Sequence, residues 1–159
     1  MSVKAALLLV QQSALTTPRL RGLLFGYQSG TTMHVLLASS LGSPTWYGRS
    51  YQRPTDIDLR FAAGWSEALF ELFDERLTCI GTWAMHPDGD LQDQVRDLRL
   101  FGSGRAPGLL NEAHLLLAVG LYEGSTAARA YICRRGHDYQ EISCDFGLQN
   151  YGNILKQWL

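Results

Sequence analysis

The chain has 159 residues, 46% of them apolar, which suffices for one hydrophobic core and makes a second domain unnecessary. Its 14 basic and 15 acidic residues leave a net charge of −1, which argues against electrostatic wrapping of nucleic acid or of an anionic membrane. Cys79, Cys133 and Cys144 lack Cys-x-x-Cys spacing and read as reduced thiols packed as small apolar groups, so a cytoplasmic setting is expected.

In chain order, the apolar run 3–10 is too short to span a bilayer and no small-residue cleavage pattern follows it. Residues 5–10 and on to 15 read as a short helix or a strand, ended by Pro18. Residues 22–27 and 31–39 are apolar runs separated by a glycine turn, the pattern of a β-hairpin. The stretch 41–55, rich in Gly, Ser and Pro, reads as a long loop carrying Trp46, Tyr47, Arg49, Tyr51 and Arg53. Ala62, Trp65, Leu69, Leu72 and Phe73 then recur at helical spacing, with Asp56 or Asp58 as candidate N-cap. A strand is expected over 77–85, with Ala84 and His86 on one face.

Leu91, Val95 and Leu98 predict a short helix over 92–100, capped by Asp90 and carrying Gln94 and Asp97. Residues 101–108, with three glycines and a proline, form a second irregular segment. Strands are expected over 114–121, 127–133 and 139–144, and Ile154, Leu155 and Trp158 suggest a docking helix in the tail.

The chemistry concentrates at Gly81-Thr82-Trp83-Ala84-Met85-His86-Pro87, with Asp97 eleven positions after His86. A hydrolytic zinc site needs three protein ligands, an open position for water and a carboxylate to take the water's proton. Ligands at i and i+2 of a strand with a third on the next helix would build one, but position i is Ala84, whose methyl cannot bind metal. Asp88, Asp90 and Asp93 lack the spacing of a calcium loop and read as a solvated acidic segment. No Gly-x-Ser-x-Gly elbow or phosphate loop is present.

The spacing resembles the JAMM motif of the JAB/MPN metalloprotease family, His-x-His-Pro-x6-Ser-x2-Asp, with an upstream glutamate before a Gly-apolar-apolar-x-Gly strand. His86, Pro87 and Asp97 match, as does Gly22-Leu23-Leu24-Phe25-Gly26. Three functional positions depart: Arg19 stands in place of the glutamate, Ala84 of the first zinc histidine, and Gln94 of the serine. The resemblance covers about residues 1–144 of a single domain spanning 1–159, leaving 145–159 as a tail. It implies an α+β fold, a curved mixed sheet flanked by helices. It also implies a catalytically inactive member with no cofactor and with His86 and Asp97 as remnant ligands. The alternative is a zinc-dependent isopeptidase of ubiquitin-like proteins that uses other ligands.

Arg19, on this alignment, would supply the positive charge that a metal gives Asp97, because a buried carboxylate is costly unless paired. The implied partner is a protein, either a ubiquitin-like tail or another JAB/MPN domain, with no nucleic acid and no membrane. Trp46, Tyr47, Arg49 and Tyr51 on one irregular segment, and Phe101 and Leu109 on the other, are the candidate partner-binding residues, since Trp, Tyr and Arg dominate protein-interaction hot spots.

Overall fold

The computed structural model describes residues 2–5, 21–40, 58–91, 93–101, 113–134 and 139–146. Seven strands, β1 (Ser2–Ala5), β2 (Arg21–Ser29), β3 (Thr32–Ala38), β4 (Thr78–Asp90), β5 (Ala113–Tyr122), β6 (Ser125–Arg134) and β7 (Tyr139–Phe146), close into a barrel in the order β1-β3-β2-β4-β5-β6-β7. Two helices, α1 (Leu59–Leu72) and α2 (Gln94–Leu100), lie on its outside.

The α+β arrangement expected from the JAB/MPN resemblance, a curved mixed sheet flanked by helices, is thereby corrected. Strand dominates, the sheet closes, and two helices are present among the described residues. The closing element is four residues long. β1 pairs in parallel with β3 on one side, Val3 opposite Met33, and with β7 on the other, Val3 opposite Cys144. Local periodicity cannot reveal such a bridge, because it depends on two partners more than 25 residues away.

Alternation along each strand separates an inner from an outer face. Leu115, Leu117 and Val119 on β5 join Leu24, Met33, Val35, Trp83, Ala130, Ile132 and Ile142 in the barrel interior. Their neighbours Leu116 and Ala118 face outward with Tyr131 and are covered by Leu91, Leu98 and Phe101 of the α2 segment. On another part of the wall, Leu23, Phe25 and Leu36 pack under Ala62 and Leu69 of α1, with Leu77.

Asp58 caps α1 by accepting from the backbone N–H groups of Arg60 at 3.1 Å and Phe61 at 3.4 Å, an arrangement that stabilises a helix by about 1 kcal/mol. Each helix serves as a crossover: α1 joins β3 to β4 over β2, and α2 joins β4 to its parallel neighbour β5. No helix among the described residues is long and apolar enough to cross a membrane.

Candidate functional site

The end of β4 departs from regular pairing. Met85 pairs with Val119, yet the next partner of β5 is Asp90 against Leu121, so β4 advances five residues while β5 advances two. The three surplus residues fall within the bulge His86-Pro87-Asp88-Gly89. Proline without an N–H fits such a place, and bulges re-aim side chains beside functional sites. His86 shares the outer face with Ala84 and both are buried, with α2 reaching His86 through Asp97.

Helix α2 begins at Asp93, whose carboxylate accepts from Arg96 N–H at 2.9 Å. Asp90, expected as the cap, instead ends β4. One turn of helix later, Asp97 points at the barrel and is wholly excluded from solvent. Its Oδ1 lies 2.7 Å from His86 Nε2, its Oδ2 accepts from the Tyr131 hydroxyl at 2.6 Å, and Arg129 Nη1 donates to Oδ2 at 3.4 Å. The sequence-predicted pair His86 and Asp97 therefore does meet, across the eleven-residue interval that first marked it.

An isolated carboxylate at zero exposure would cost several kcal/mol. Here three donors from β4 and β6 satisfy it, with Arg129 supplying the compensating charge. Burial and the bond to Asp97 raise the pKa of Tyr131, so its phenol remains a donor. For Arg129, burial works to lower the pKa, but the bond with Tyr131 and the charge of Asp97 outweigh it and the guanidinium is raised further.

Arg129 and Tyr131 were not singled out from the sequence. The available signal was the alternation on β6, where Arg129, Tyr131 and Cys133 lie on the face opposite Ala130 and Ile132. What their sequence positions could not show is the pairing of Ala118 with Arg129 and of Leu116 with Tyr131, which brings both under α2.

The remaining candidates separate. Ala84 is fully buried and contributes no donor atom, and Gln94 is exposed at the start of α2. Phe101 is half-buried and packs with Leu98 on the Leu116, Ala118 and Tyr131 cluster. Arg19, Trp46, Tyr47, Arg49, Tyr51 and Leu109 lie outside the described residues. Cys79, Cys133 and Cys144 form no disulfide among the described residues; burial raises the pKa of Cys79 and pushes Cys144 up to about 12, so neither of these two is a ready thiolate.

The donor set does not fit a zinc ion. His86 Nε2 and both oxygens of Asp97 are committed to each other, to Tyr131 and to Arg129, and a guanidinium beside the carboxylate repels a cation. Among the described residues, no group of three or more His, Cys, Asp or Glu side chains is arranged to hold a metal.

No protein-family model and no curated protein matches the chain. Among solved structures it is similar to the solution structure of a protein from Desulfitobacterium hafniense determined as a structural-genomics target. The TM-score is 0.53 and the identity 16%, over 95% of this chain and 97% of that one. At that identity the likeness is one of fold alone.

Proposed function

We propose that this chain is a non-catalytic protein-binding domain in which the His86–Asp97 pair is a structural clamp. The observation that carries the reading is the saturation of Asp97. A carboxylate that acts on water must reach water, whereas this one has no exposure and already accepts from His86, Tyr131 and Arg129. The clamp has a clear structural use. A seven-residue helix is too short to persist unaided, and Asp97 ties α2 to β4 and β6 where Leu98 supplies the apolar contact.

A binding role is supported by the apolar groups left at the surface. Trp65 and Leu72 on α1, Val95 on α2, and Leu121 and Tyr122 at the β5–β6 turn are all more than a third exposed. The near-neutral charge favours a protein partner over a nucleic acid.

The competing reading is a metal-dependent peptidase or isopeptidase with ligands outside the expected set. Elemental analysis of protein purified without added metal, followed by a zinc-titrated hydrolysis assay on isopeptide-linked ubiquitin-like substrates, separates the two. The binding-domain reading expects no stoichiometric zinc and no zinc-dependent turnover. One tightly held zinc per chain, or cleavage abolished by chelation, would overturn it.

A further inference from the structure

Helix α1 carries two apolar stripes where one suffices. Ala62, Leu69 and, at the C-cap, Phe73 turn toward the barrel. Phe61, Trp65, Ala68 and Leu72 recur at the same helical spacing beside them, and of these Trp65 is 40% exposed and Leu72 76% exposed. Trp65 is held in place, tilted on Phe25 and edge-on to Phe61 with both ring centroids 6.2 Å away, so little side-chain freedom would be lost on covering it.

Past the Asp58 cap, whose carboxylate meets the dipole at the amino end, the charges of the helix run against that dipole. Its first turn has no acid and holds Arg60, and its last turn has no base and holds Glu71, although a free helix prefers the reverse. Both side chains are exposed. A second helix lying antiparallel would resolve the mismatch, since it brings its negative carboxyl end to Arg60 and its positive amino end to Glu71.

We infer that α1 is a self-association face, on which a second copy of this chain packs its own α1 antiparallel about a two-fold axis between Gly64 and Ala68. Such an interface is self-complementary. Arg60 of one copy stands against Glu71 of the other at both ends, Trp65 and Leu72 form the apolar seam, and the surface at Gly64 is open to an approaching helix. The inference rests on the protein-binding reading and names the partner. A helix of 14 residues is about 21 Å long, so the contact falls below the standard interface size and the dimer should dissociate on the order of tens of micromolar.

Sedimentation equilibrium on the full chain tests this, with Arg60→Glu and Glu71→Arg as probes. Both residues are exposed, and a thermal melt of each single reversal verifies that the monomer stays folded. Each also places like charges at both ends of the dimer and should weaken it roughly tenfold, the scale of several exposed charge pairs acting together. Mixing the two single variants restores attraction at both ends, as does Arg60→Glu with Glu71→Arg in one chain, and both should return to within about threefold of the parent. A parent that is monomeric up to about 1 mM, or a dimer indifferent to both reversals, would overturn the inference. Zinc content and turnover are unaffected by either result, so failure here is distinguishable from failure of the binding-domain reading.

Discussion

Tyr131 donates to Asp97 at 2.6 Å from the neighbouring wall of the barrel, on the carboxylate oxygen opposite the one facing His86. Through this contact β6 grips a helix that the chain inserts between β4 and β5. The carboxylate has become an anchor, and its three donors make the docking of α2 directional where Leu98 alone would let it slide.

Removing the phenol should loosen that docking. Tyr131→Phe keeps the ring among Leu116, Ala118 and Phe101 but leaves Asp97 Oδ2 with Arg129 alone. The loss should be about 1–3 kcal/mol, the scale of a buried hydrogen bond to a charged group. Urea unfolding would read it as a lower midpoint at unchanged slope. A variant as stable as the parent would show that Arg129 and His86 already suffice.

Replacing Asp97 should be more damaging. Asp97→Ala removes the carboxylate that His86, Tyr131 and Arg129 share, and breaking such a buried charged set costs about 3–5 kcal/mol. Adding His86→Leu to Asp97→Leu should recover part of the loss, because it removes the imidazole left facing an apolar site while Tyr131 and Arg129 stay. If the double variant is no better than Asp97→Ala, the anchor acts mainly through Tyr131 and Arg129.

Much of the local structure was legible in the sequence. The hairpin, a helix capped at Asp56 or Asp58, and the face shared by Ala84 and His86 follow from periodicity, which acts over a few residues, whereas placing His86 with Asp97 came from the motif spacing. Closure of the barrel did not follow, because it rests on β1 meeting β3 and β7. The motif alignment points to Arg19 as the charge partner of Asp97; that residue lies outside the described ones, and among the described residues Arg129 supplies a guanidinium. Arg129 becomes visible only once β6 is in register with β5. A resemblance carried by spacing reported which residues meet and misjudged the architecture in which they do so.

Glycines in the wall should tolerate substitution very unequally. A methyl at Gly81 would overlap the Leu115 carbonyl, and one at Gly22 would overlap the Ser39 carbonyl that accepts from Trp83 Nε1 at 2.9 Å. Both neighbours are backbone atoms, so the strands must separate, and Gly81→Ala or Gly22→Ala should give little folded protein. Gly64→Ala meets open space on α1 and should raise stability by about 1 kcal/mol through helix propensity. Thermal melts of the three variants check the contrast; a well-folded Gly81→Ala would mean that β4 and β5 can shift apart.

His114 should make the fold sensitive to acid. Its ring is buried on the outer face of β5, Nε2 lies 3.1 Å from Thr82 Oγ1, and the buried Nδ1 has no partner among the described residues. Charging the ring would require acceptors that the site does not offer, and burial accordingly lowers its pKa from 6.5 to about 4. Between those values the unfolded chain binds a proton that the folded chain refuses. The stabilisation is therefore complete above about pH 6.5, is lost as the pH falls toward about 4, and is constant below that. Its full size is about 3 kcal/mol. His114→Gln keeps a polar group for Thr82 and cannot titrate, so its urea midpoint should fall less than that of the parent between pH 7.5 and 4.5. Equal falls in the two proteins would assign the acid sensitivity to other groups and leave His114 with a packing role alone.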